Sequence, residues 1–242
     1  ATVLMTSFDH SNSYADGESI TVLQQTTQSD FPNGITFHLE VEGPDTIDDI
    51  RVYFRKIGQA GDSGYRIVDF NPGTHIYGES KILSNKDNQY IAPGTRIEYH
   101  YDIRDVKGRV LKTDPQVYTY LDNRFEWSTV TDGVITVFHF GDGSLEKAEQ
   151  ILHICQTTLE HMGPILGITP AHPLHIVTYQ DYSDMKAALP FRSNKVSDSL
   201  ITQGIAFADE RSLIIYTSDN FIGTTKHEFT HLLVGDAAGR AY

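Results

Sequence analysis

The chain has 242 residues, with 19 Lys and Arg against 32 Asp and Glu, a net charge of −13 and 39% hydrophobic residues before its 19 glycines are added. That apolar share is the usual one for a globular protein and excludes disorder as the dominant state, while the acidity excludes a general attraction to nucleic acid and opposes anionic lipid. A lone cysteine, Cys155, excludes an internal disulfide framework and any Cys-rich zinc module, and no stretch approaches 18 consecutive apolar residues.

In chain order, the first half alternates with period two, the mark of half-buried strands. Ile35, Phe37, Leu39 and Val41 form one such run, Ile50, Val52 and Phe54 a second, Ile97, Tyr99, Tyr101 and Ile103 a third, and Val117 to Leu121 closes the series. Turn signals fall at Pro32-Asn33-Gly34, Asn71-Pro72-Gly73, Pro93-Gly94 and Asp105 to Gly108. About seven short strands over roughly 115 residues predict an all-β sandwich of immunoglobulin or fibronectin-III type over residues 1–123.

From Arg124 the texture changes, and residues 124–242 read as an α/β (α+β) half-domain. Val134 to Phe140 predicts a strand. Ser144 is positioned to cap a long helix whose apolar stripe is Leu145, Ala148, Leu152, Cys155, Leu159 and Met162, ended or kinked at Gly163-Pro164. Leu174 to Tyr179 predicts a strand, Tyr182 to Leu189 a short helix, and the polar stretch Phe191 to Ser199 a loop. Gly204 to Phe207 and Leu213 to Thr217 predict two strands joined by the turn Ala208 to Arg211. A last helix starts near Phe221 and runs to about Val234, with Gly235-Asp236 as its C-terminal cap.

That last helix contains His227-Glu228-Phe229-Thr230-His231, the pattern H-E-x-x-H. On a helix, residues four apart project from one face, so two imidazoles can share one Zn²⁺ with Glu228 beside them as general base. With 11 histidines in the chain, about 0.02 such motifs are expected by chance. A catalytic zinc takes a third protein ligand. The metzincin continuation fails, because Val234 and Ala237 stand where Gly and His would be needed, and Asp236 reads better as a cap than as a ligand.

Strand, polar turn, strand and H-E-x-x-H helix together resemble the gluzincin metallopeptidases, and more narrowly the bacterial peptidase-MA-like family, which often sets a β-sandwich before its protease domain. The residues that carry the resemblance are Gly204-Ile205-Ala206-Phe207, Leu213 to Tyr216, Lys226 to Leu233, Arg124-Phe125-Glu126-Trp127, and the run from Pro93 to Gly108. The resemblance implies a zincin-like half-domain with His227 and His231 as Zn²⁺ ligands and Glu228 as base. It implies that Gly204, Ile205, Ala206, Phe207 and Ala208 form an edge strand that pairs with an extended peptide or protein substrate. It places the third ligand, a Glu on a following helix, beyond Tyr242. It implies an extracytoplasmic location and leaves room for a membrane anchor in a segment outside this sequence. The competing reading is a non-catalytic binding or assembly subunit with a degenerate protease domain. A further one is an adhesion role for the sandwich alone.

Other residues read as structural: His172 and His175 near a strand start, Cys155 as a buried small hydrophobe, Trp127 as a packing anchor between the halves, and the acids at Glu40, Glu42 and Asp45 to Asp49 as a solvated strand end.

Overall fold

The computed structural model describes residues 19–58, 64–84, 89–190 and 203–239. The loop expected at Phe191 to Ser199 lies outside these residues. Seven strands come first: β1 (Thr21–Asp30), β2 (Gly34–Lys56), β3 (Gly64–Ile67), β4 (Gly73–Leu83), β5 (Arg96–Asp105), β6 (Val110–Lys112) and β7 (Gln116–Thr119). All their pairings are antiparallel: β1 and β4 flank the first half of β2, β3 and β5 flank its second half, and β6 and β7 pair with β5. This arrangement is compatible with a β-sandwich.

The period-two runs supply its core. Ile35, Phe37, Leu39 and Val41 from β2 and Ile97, Tyr99, Tyr101 and Ile103 from β5 are all buried, and Phe37 meets Tyr99 edge-on at 4.9 Å. The runs at Ile35 and Ile50, read as separate strands, belong to one continuous strand of 23 residues. Its register slips between Glu42 and Ile47 against β4 and between Ile47 and Asp49 against β5, so the strand changes partners without a break. Buried Asp105 anchors this bend region. It accepts from the backbone N–H of Lys107 and of Arg109, both at 2.9 Å, and Arg109 also reaches Asp45. The acids near the bend are therefore partly paired rather than merely solvated.

The second sheet contains β8 (Ser128–Asp132), β9 (Ile135–His139), β10 (Leu174–Tyr179), β11 (Gly204–Phe207) and β12 (Ser212–Tyr216), in the order β11-β12-β10-β9-β8. The three strands β9, β10 and β12 run parallel, and β8 and β11 are antiparallel edges. Helices α1 (Ser144–Leu166) and α2 (Tyr182–Ala187) follow β9 and β10, and α3 (Phe221–Gly239) follows β12. Every residue of β10 is buried, as expected of a parallel strand covered on both faces. One face carries Ile135, Val137, Leu174, Ile176, Leu213 and Ile215 against α1 and α3. The other carries Phe138, Val177, Tyr179 and Ile214, covered by α2 and by Phe31, Leu121, Phe125 and Trp127. Among the described residues no helix is long and apolar enough to cross a membrane.

Several local expectations are corrected. Ser144 does not cap α1: Gly143 holds that place in the left-handed region, and the Ser144 hydroxyl donates to Gly141 O while accepting from His139 Nδ1, both at 2.7 Å. The stripe is rotated, with Leu145 exposed and Ile151 and Thr158 buried beside Ala148 and Cys155. Gly163-Pro164 does not end the helix, which runs on to Leu166 and stops where Gly167 turns left-handed. The last helix extends to Gly239, so Gly235-Asp236 lies inside it. Its Asp236 carboxylate pairs with Arg211 from the β11–β12 turn, both side chains nearly buried. A long-range partner, not a helix end, accounts for that acid.

The halves meet at Pro93-Gly94. His175 Nδ1 donates to Gly94 O at 2.7 Å, and Ser212 Oγ donates to Pro93 O at 2.5 Å. Burial lowers the His175 imidazole from its ordinary 6.5 to about 4. The unfolded chain therefore binds more protons than the folded one between these values. The contribution of neutral His175 is complete above pH 6.5, falls by about 3 kcal/mol as the pH drops to 4, and changes no further below. Denaturant midpoints across this window are expected to fall less steeply in His175→Asn, whose amide keeps a donor for Gly94 O. An unchanged slope refutes the assignment.

Candidate metal centre

The site is built on α3. Its buried face is Phe221, Thr225, Phe229, Leu232 and Leu233, which pack toward β11, β12 and α1. The spacing of these anchors turns Lys226, His227 and His231 outward, where all three are exposed. The helix thus presents both motif histidines on one accessible face.

The two imidazoles converge. His227 Nε2 and His231 Nε2 lie 3.1 Å apart, with the ring planes at 81° and the centroids at 4.7 Å. Two nitrogens bound to one tetrahedral Zn²⁺ at about 2.0–2.1 Å stand roughly 3.3 Å apart, so the pair needs little adjustment to share an ion. Glu228 differs in environment. Its side chain is 20% exposed against 70% for His227, and its Oε1 lies 3.9 Å from His227 Nε2. Two nitrogen donors with a carboxylate beside them suit a borderline-soft ion such as zinc. Among the described residues no group of three or more His, Cys, Asp or Glu side chains is placed to hold an ion. Asp236 is committed to Arg211.

Gly204, Ile205, Ala206 and Phe207 form β11, which hydrogen-bonds to β12 on one side and is an end strand of the sheet. Its side chains are used in packing: Ala206 joins the cluster under α1 and α3, while Ile205 and Phe207 join the opposite cluster, Phe207 against Tyr90 at 5.1 Å. What β11 can offer an extended chain is its backbone. Ala208 begins the turn and sits against Gly235 of α3. Gln203 and Thr224 were not singled out in the sequence, yet Thr224 Oγ1 donates to Gln203 Oε1 at 3.2 Å and ties β11 to the first turn of α3. No sequence spacing marks that pair, because it closes only in the folded chain.

The residues read as structural are placed so. Cys155 is fully buried and burial raises its thiol pKa, which disfavours the thiolate. Trp127 donates Nε1–H to Asp122 O at 2.7 Å and packs edge-on to Phe125, Phe140 and Tyr179. The exposed His172 gives its carbonyl to Arg211 Nη2 at 2.9 Å.

No protein-family model and no curated protein matches this chain. Among solved structures it is similar to a catalytically inactive OgpA from Akkermansia muciniphila, solved with an O-glycopeptide substrate, at 13% identity and a TM-score of 0.33, covering 45% of this chain and 31% of that one. The chain therefore spans about a third of that protein. A carbohydrate-binding module of family 56, a β-1,3-glucan binding domain, is similar at 16% identity and a TM-score of 0.24, over 39% of this chain and 98% of the module. BC0361, a polysaccharide deacetylase from Bacillus cereus, is similar at 6% identity and a TM-score of 0.28, over 70% of this chain and 53% of the deacetylase.

Proposed function

We propose that residues 124–242 are the metal-binding part of a zincin-like peptidase domain and that the protein hydrolyses peptide bonds. The observation that carries this reading is the convergence of His227 Nε2 and His231 Nε2 at 3.1 Å with Glu228 beside them. His227 and His231 hold the ion through Nε2. A bound zinc supplies Lewis acidity, lowering the pKa of water and polarising a carbonyl. Glu228 accepts the proton of the attacking water at a carboxylate oxygen and returns it to the leaving amine. The backbone of β11 orients an extended substrate by strand addition. The third ligand is a carboxylate outside the described residues.

The test is a zinc titration by calorimetry on the natural full-length protein. One Zn²⁺ per chain is expected, with affinity reduced at least tenfold in His227→Ala and in His231→Ala. Zinc binding indifferent to both substitutions overturns the proposal. A second reading, a non-catalytic binding or assembly subunit, is favoured by one observation: no third ligand accompanies the pair among the described residues. Stoichiometric zinc without turnover of any peptide supports that alternative.

A further inference from the structure

Gly204 opens β11 directly beside the motif. A Cβ placed on it would stand 2.8 Å from Ile215 Cδ1, 2.8 Å from Thr224 Cγ2 and 3.1 Å from Glu228 Cγ. Gly204 is not among the residues with positive φ, so what a side chain would meet here is crowding and not backbone strain. The three neighbours come from β12, from the first turn of α3 and from the motif itself. Gly204 is paired in register with Ile215, which fixes its height on the sheet. The stem of Glu228 thus rests on bare backbone.

We infer that Gly204 is a positioning residue for Glu228: the missing side chain lets the glutamate stem lie against β11, which holds the carboxylate beside His227. Of the three nearest atoms, the one from the motif is Glu228 Cγ, while Ile215 and Thr224 contribute methyl groups to the crowding. The kinetic part of the inference rests on the peptidase reading. Its geometric part does not.

The test separates crowding in general from crowding of Glu228. Ile215→Val with Thr224→Ser removes the two methyl groups and serves as the background. Adding Gly204→Ala to that background leaves Glu228 as the one close neighbour among those three. The expected result on the full-length protein is a melting temperature close to the background, unchanged zinc affinity and unchanged KM, with kcat reduced about 30- to 100-fold, the scale of a misplacement near 1 Å. A second readout needs neither metal nor activity. In the metal-free chain, a nuclear Overhauser contact between Gly204 Hα and Glu228 Hγ is expected in the wild type. Its absence overturns the inference. So does a triple variant that turns over like its background while wild type is active and Glu228→Gln is not. Equal turnover by wild type and Glu228→Gln instead overturns the peptidase reading, and the kinetic part falls with it.

Discussion

Glu228→Gln is expected to retain zinc and to lose peptidase turnover by about 10²- to 10⁴-fold, the contribution of a positioned general base. Glutamine has the shape of glutamate, so the stem keeps its place against Gly204 and neither histidine is disturbed. What disappears is a carboxylate oxygen able to take a proton. The loss should fall on kcat with little change in KM, because the group acts only as the bond is broken. Metal analysis together with steady-state kinetics on one preparation of the full-length protein decides it. Activity that survives the substitution removes Glu228 from the chemistry.

The second large effect is on stability. Arg211 stands at φ 54° in the β11–β12 turn, a left-handed conformation uncommon outside glycine. Its guanidinium is almost buried, gives Nη2–H to His172 O at 2.9 Å and pairs with the nearly buried Asp236 carboxylate. Its stem lies against Gly58, at the end of β2. The side chain therefore ties together the turn, the approach to β10, the last turns of α3 and the end of β2. Arg211→Ala should destabilise by about 3–5 kcal/mol, because it takes the cation out of a nearly buried ion pair. Arg211→Met combined with Asp236→Leu should recover much of that loss, since no charge is then left buried. Urea denaturation of the two variants makes the comparison. Equal destabilisation by both would mean that packing, not charge, dominates.

The parts of the fold legible in the sequence were those set by local periodicity. Ile35 to Val41 and Ile97 to Ile103 alternate because one face of each strand is buried, and Leu174 to Tyr179 reads as a strand whose every residue proves buried because both of its faces are covered. The histidine pair was legible for the same reason, since the i, i+4 relation is a property of the helix itself. Three features were hidden by long-range partners. The runs at Ile35 and Ile50 read as separate strands, yet β2 joins them because β4 and β5 take it up on either side of a register slip. Gly235 reads as a cap, yet it is a helical position kept small beside Ala208. Strand β8 escaped notice because Ser128, Thr129, Thr131 and Asp132 surround a single Val130, and only pairing with β9 makes them a strand. At the site, the contact of Gly204 with Glu228 joins residues 24 positions apart and has no spacing rule behind it.

Among the described residues both faces of the second sheet are covered. Helices α1 and α3 cover one side, and the other is closed by α2 together with Phe31, Leu121, Phe125 and Trp127, with Pro93 and Gly94 resting on Ser212 and His175. The first half of the chain is thus a wall of the neighbouring core and not cargo on a tether. Grafting the motif-bearing half onto a foreign partner would demand a new aromatic cover for Val177, Tyr179 and Ile214, however well the connecting peptide were designed. Modularity in this protein is limited by a shared surface, and the two halves travel as one engineering unit.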